Sequence, residues 1–198
     1  MQRFRFGSFL VFILFSLPSF SQNYEVQYNK CSEALKQHTS IDSIYFDLSK
    51  VRDSCLIGAT APNFVAMTLD HDEIDLSKLR GKVVVLNFWF TGCQPCMKEM
   101  PYLNKLVNKY SKDDVQFISF ANDDSTIVRK FLSIHVFKFK VVPSGDYVRR
   151  DIFRLFSAWP QTILIDKNGR IKKLGIDLGV VDEESISNVE SLIDDMLR

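Results

Sequence analysis

Metal-binding residues are scarce in this chain. It carries three histidines and four cysteines among 198 residues, and His38, His71 and His135 follow no metal-ligand spacing. A structural zinc site takes four ligands, and only Cys93 and Cys96 stand close enough together to begin one. Net charge is equally sparse, at +1. No basic patch with interleaved aromatics is present, which argues against a nucleic-acid interface. Long hydrophobic runs are missing too. The run from Phe9 to Leu17 falls short of the ~20 residues a spanning helix needs.

That short run does have a reading. Arg3 and Arg5 precede it, Pro18 breaks it, and Ser19-Phe20-Ser21 offers small residues before a cut. Residues 1–21 therefore read as an export signal peptide with cleavage after Ser21. An uncleaved N-terminal segment acting as an anchor is the alternative. No cysteine follows closely enough to suggest a lipid anchor. The remaining chain, 46% hydrophobic and 25% charged overall, suits one globular domain with attachments.

The chemistry concentrates in Trp89-Phe90-Thr91-Gly92-Cys93-Gln94-Pro95-Cys96. An apolar strand, Val83 to Phe90, runs into a Cys-x-x-Cys pair, and a helical pattern starts at once. Free N–H groups and the dipole at a helix start favour negative charge on the leading sulfur. The Cys93 thiol should therefore titrate below the free value and act as the exposed nucleophile. Cys96, one turn on, is the resolving thiol. Pro95 suits a first turn, where a missing N–H costs little. A purely structural Cys93–Cys96 disulfide is the duller reading, but so short a loop restrains the unfolded chain little.

Lys82 to Cys96, followed by Glu99 and Pro101, resembles the thioredoxin superfamily, and more closely its exported TlpA/ResA-like branch. The likeness opens at Gly58-Ala59-Thr60-Ala61-Pro62-Asn63-Phe64 and runs to the C-terminus. It implies an α/β thioredoxin fold, a central mixed β-sheet flanked by helices, over residues 58–198. Residues 22–57 are then a short N-terminal extension. The branch commonly carries Asn where Asn87 stands, whereas thioredoxin proper has an acid that moves the proton of the buried cysteine. An amide cannot accept that proton, and the resemblance gives the task to Glu99. Glu99 follows Cys96 by one helical turn, and a shielded carboxyl there should titrate high. Otherwise it is an ordinary acid early in a helix. Trp159-Pro160 resembles the family's cis-proline site, which faces the cysteines and pairs with an extended substrate segment. Trp159 is bulkier than the residue often found there.

Hydrophobic periodicity supplies the other elements. Strands are expected at Phe64–Leu69, Ile74–Leu76, Val115–Phe120, Phe137–Val141, Ile163–Ile165 and Arg170–Leu174. Helices are expected at Asn29–Gln37, from the Cys-x-x-Cys pair through Tyr110 with a kink at Pro101, after Asp123-Asp124-Ser125, over Tyr147–Phe156, and at the C-terminus. Cys31 and Cys55 are candidates for a structural disulfide in an oxidising compartment. Two unpaired thiols, or a redox relay to Cys93, are the other readings.

The reaction expected is dithiol–disulfide exchange on protein disulfides, with no metal and no organic cofactor. The catalytic residues are Cys93, Cys96 and Glu99, and Trp159 and Pro160 bind substrate. The resemblance adds a periplasmic or envelope location, a reducing direction and a membrane electron donor. A thiol peroxidase on the same fold would show Pro-x-x-x-Thr/Ser-x-x-Cys. Counting back from Cys93 gives Phe90 and Leu86, and from Cys96 gives Cys93 and Trp89, so that signature fails. A thiol-based metallochaperone would need further soft ligands beside the pair.

Overall fold

The computed structural model describes residues 20–38, 54–110, 114–155, 159–176 and 183–198. The leader region, apart from Phe20 and Ser21, lies outside them, as do residues 41–48 and Phe156.

Seven consecutive apolar or small polar residues, Val83–Trp89, form the central strand β3, buried at every position. Counting strands along the chain, β1 is Val65–Met67, β2 Glu73–Asp75, β4 Val115–Ala121, β5 Lys140–Val142, β6 Gln161–Ile165 and β7 Ile171–Ile176. The main sheet has the order β5-β4-β3-β6-β7. Its β3–β4 and β4–β5 pairs are parallel, and β3–β6 and β6–β7 are antiparallel. The sheet is therefore mixed, as expected. β1 and β2 form a separate antiparallel pair.

Side chains alternate across β3. Val84, Leu86 and Phe88 face a core that includes Tyr24, Phe120, Phe153 and Ile163. Val83 and Val85 face the opposite core, against Leu103 and Leu106 of helix α2 (Gln94–Lys109) and Val189 and Ile193 of α4 (Glu183–Leu197). Each fully buried Leu or Phe contributes roughly 1.5–3 kcal/mol, so both faces matter to stability. Helix α3, Ser125–Leu132, starts on an Asp124 cap whose carboxylate accepts from the Thr126 and Ile127 N–H groups. The β6–β7 turn closes on Asp166, which accepts from the Asn168 and Arg170 N–H groups, with Gly169 at φ 75°.

Several boundaries differ from expectation. The first helix, α1, spans Phe20–His38 and is longer than the predicted Asn29–Gln37. It is part of the core: Tyr24 is 1% exposed, and its hydroxyl donates to the Phe153 carbonyl at 2.7 Å. Leu76 leaves β2 to open a 3-10 turn, Leu76–Leu79, capped by Asp75. The alternation over 137–141 yields a strand only at Lys140–Val142. Asn104 of α2 takes the backbone upstream of it, accepting from the Lys138 N–H and donating to the Val136 carbonyl, both at 2.8 Å. The helical stretch after Tyr147 reduces to a five-residue π turn, Val148–Ile152, followed by Arg154 at φ 50°. α2 continues through Pro101 as one element.

Candidate active site

The residues after β3 are held before the cysteines arrive. The Asn122 N–H donates to the Trp89 carbonyl at 2.9 Å, and the Cys93 N–H donates to the Phe90 carbonyl at 3.1 Å. Between them, the Thr91 N–H donates to a carboxylate oxygen of Asp123 at 2.7 Å. Of the two adjacent aspartates, Asp124 caps α3 and Asp123 is left to fix this loop.

Cys93 is the N-cap of α2. Its sulfur accepts the Cys96 N–H at 3.2 Å, and Pro95 occupies the first turn. Cys93 and Cys96 are joined as a disulfide, with Cα atoms 5.2 Å apart. The expected exposure of Cys93 is not found in this oxidised state: it is 3% exposed, and Cys96 0%. Both cysteines belong to a buried cluster against which Phe90, Met97 and Trp159 pack. Of the neighbours of Cys93, Gln94 and Pro95 are exposed and Gly92 is exposed as well.

Glu99 lies on the buried side of α2, 0% exposed. Asn87, on β3, donates from Nδ2 to Glu99 Oε1 at 2.7 Å and to Thr162 Oγ1 at 3.1 Å. The register makes this possible, since Thr162 of β6 sits directly opposite Asn87. The residue that cannot take a proton thus holds the carboxyl that can.

Trp159 and Pro160 lie immediately before β6. Their peptide bond is cis, Pro160 is buried, and Trp159 packs edge-on against Phe90 with centroids 5.6 Å apart. Trp159 also joins the cluster that contains Cys93 and Cys96. On its other contact, the Arg149 guanidinium lies 4.2 Å from the ring centroid. Sequence reasoning missed Arg149, Asp123 and Thr162. Only Asp123 left a signal, as the second of two aspartates where one helix cap was needed.

Cys31 and Cys55 are joined to each other, with Cα atoms 5.9 Å apart. Cys31 belongs to the core on the far face of the sheet from Cys93 and Cys96. That placement provides no direct relay between the two pairs.

A family model described as Redoxin matches residues 56–193. Thiol-disulfide oxidoreductase ResA of Bacillus cereus (strain ZK / E33L) is 40% identical over 124 residues, 61% of this chain and 69% of that one. The ResA of Geobacillus thermodenitrificans (strain NG80-2) is 36% identical over 157 residues, covering 76% of this chain and 86% of that one. Among solved structures, a thiol:disulfide interchange protein of the thioredoxin family from Chlorobium tepidum TLS superposes with a TM-score of 0.59 at 20% identity. It covers 71% of this chain and 97% of that one, and shows the shared fold. No helix among the described residues is long and apolar enough to cross a membrane. With the match running across most of the domain and through the paired cysteines, the chain belongs to the redoxin family and is a thiol–disulfide oxidoreductase of thioredoxin fold.

Proposed function

We propose that this protein is exported and reduces disulfides in protein substrates. The observation that carries the reading is the position of Cys93 as the cap of α2, its sulfur already accepting the Cys96 N–H. Once the pair is reduced, the same contact and the helix dipole favour thiolate over thiol on Cys93. That thiolate attacks one sulfur of the substrate disulfide, forming a mixed disulfide and expelling the other substrate sulfur as a thiolate. Cys96 then attacks the Cys93 sulfur, which restores the Cys93–Cys96 bond and frees the second substrate thiolate. Two electrons pass from the protein to the substrate.

Cys96 must lose a proton to act, and Glu99 is the group to receive it. It is fully buried, one turn beyond Cys96 on α2, with one carboxyl oxygen held by Asn87. Trp159 and Pro160 form the wall along which an extended substrate segment lies. The exchange needs no metal or organic cofactor. Regeneration of the dithiol in an oxidising compartment calls for a membrane electron donor. Export rests on the charged, apolar and small-residue pattern of residues 1–21, and finding Gln22 as the first residue of the mature protein would establish the cut.

The test is the reduction potential of Cys93–Cys96 in the mature protein, equilibrated against a dithiothreitol buffer. A value near about −270 mV, in the thioredoxin range, is expected. A value near about −120 mV, that of a strong disulfide donor, would reverse the direction and keep the chemistry.

A further inference from the structure

Arg149 takes no part in the exchange chemistry, yet it is an arginine only 9% exposed. A buried guanidinium is costly unless its donors are satisfied. Here Nε donates to Asp146 Oδ1 at 2.7 Å, and Nη1 donates to the Leu155 carbonyl at 2.8 Å. With two edges fixed, the plane of the group is fixed as well, and its Cζ stands 4.2 Å from the Trp159 ring centroid. Trp159 in turn meets Phe90, whose carbonyl accepts the Cys93 N–H. A continuous line of contacts therefore runs from Arg149 through Trp159 and Phe90 to the nucleophile.

The base of this line is itself braced. Phe153, between the π turn and Leu155, is completely buried and accepts the Tyr24 hydroxyl of α1 through its carbonyl. Arg154 pairs with Glu25 of α1 at 2.6 Å. The segment that presents Arg149 is thus held on α1, and Trp159, only half-buried, packs against the cluster that contains Cys93 and Cys96.

We propose that Arg149 is a positioning residue: it holds Trp159 as a fixed apolar wall, and so sets a preference for disulfides carried on a polypeptide over small free disulfides. The inference rests on protein disulfides being the substrate. A polypeptide presents apolar surface on either side of its disulfide, which a rigid indole can cover. A small aliphatic disulfide reaches Cys93 without using the wall. Lysine would not replace Arg149, because a rounded ammonium has neither the flat face nor the fork.

The experiment uses the mature protein, pre-reduced, in single turnovers with insulin and with 2-hydroxyethyl disulfide. The variants are Arg149→Met, Arg149→Lys, Trp159→Ala and the Arg149→Met/Trp159→Ala double. For insulin, both Arg149 variants should raise the half-saturating concentration about tenfold, between the scales of an exposed and a desolvated cation–π contact. The limiting rate with insulin and the rate with 2-hydroxyethyl disulfide should change little. In the Trp159→Ala background, Arg149→Met should add almost nothing, because the two residues act as one unit. Equal slowing of both substrates, or a fully additive loss in the double variant, would overturn the proposal. If Arg149→Met does not fold, Arg149→Lys carries the same comparison. A wild-type protein that reduces 2-hydroxyethyl disulfide but not insulin would overturn the protein-substrate reading together with this inference. A wild type active on insulin, with Arg149 variants indistinguishable from it, would overturn the inference alone.

Discussion

Asn87 donates its side-chain amide to Glu99 across 2.7 Å, and the two residues are 1% and 0% exposed. The same nitrogen reaches Thr162, so the amide ties the active-site helix to two neighbouring strands. An amide is suited to this place because it supplies donors without adding charge. The Glu99 carboxyl can then change protonation without meeting a second anion.

Asn87→Asp would put that second anion in. Two carboxyl groups this close cannot both ionise, so the pair retains a proton above the ordinary carboxylate range. A folded-state pKa raised in this way stabilises the fold below the unfolded value, and the benefit is lost as pH rises through the raised one. The variant should therefore be most stable in acid and lose about 1–3 kcal/mol relative to wild type at alkaline pH, the cost of a buried unmatched polar group. Urea midpoints at pH 5 and pH 8 measure it, and equal midpoints would mean that the carboxyls do not meet.

Glu99→Gln keeps an oxygen that can accept from Asn87 and removes the carboxylate proposed to take the Cys96 proton. The first attack by Cys93 should be unaffected, while resolution by Cys96 slows by about 10²-fold, the lower range for a lost general base. Acid-quenched time points resolved by mass should show the mixed disulfide accumulating. Unchanged resolution would assign the proton to another group.

Replacing Cys31 and Cys55 together by serine removes a link spanning a sequence separation of 24 residues. A loop of that length predicts a loss of about 3 kcal/mol through the unfolded chain. The Cys93–Cys96 potential should stay in place, since Cys31 belongs to the core on the opposite face of the sheet from Cys93 and Cys96. Guanidinium unfolding and a redox titration of the variant read the two quantities separately.

Tyr110 closes α2 against α4, with its hydroxyl donating to Asp194 at 2.8 Å. Burial, with the Asp194 carboxylate beside it, pushes the phenol from 10.0 up to about 12. The folded state holds this proton more tightly than the unfolded chain does. Its contribution, on the order of 2 kcal/mol, is present below pH 10 and lost between pH 10 and 12. Tyr110→Phe should start lower at neutral pH by about 1 kcal/mol and fall less steeply over that window. The remaining slope belongs to groups such as Lys109, which Glu190 holds above the usual lysine range.

The sequence showed most plainly those features that depend on neighbours in the chain. An apolar strand, two cysteines at fixed spacing and a proline in the first turn all state their meaning within 15 residues, Lys82 to Cys96. The partners of Asn87 were harder, because they lie 12 and 75 residues away and depend on strand register. Phe137–Val141 shows the opposite problem. Its alternation is real, and Phe137 and Phe139 stack at 4.8 Å, but Asn104 takes the backbone groups a strand would need. Periodicity reports which side chains seek cover, and says nothing of where the backbone finds its hydrogen bonds. Arg149 gave no sign of itself for a related reason: in Arg149-Arg150-Asp151 both arginines look solvated until their partners are placed.

The Cys93 sulfur, the proposed nucleophile, also serves α2 as the acceptor at its N-cap, so the helix start is tied to the redox state of the pair. A thiolate accepts a hydrogen bond more strongly than a disulfide sulfur does. Whatever the cap gains on reduction appears as extra resistance of the reduced protein to unfolding. Through the thermodynamic cycle, the same gain makes the pair less willing to give up its electrons, by about 30 mV for each 1.4 kcal/mol. The strength of this protein as a reductant can therefore be weighed without any electron-transfer partner, by unfolding its two redox forms side by side.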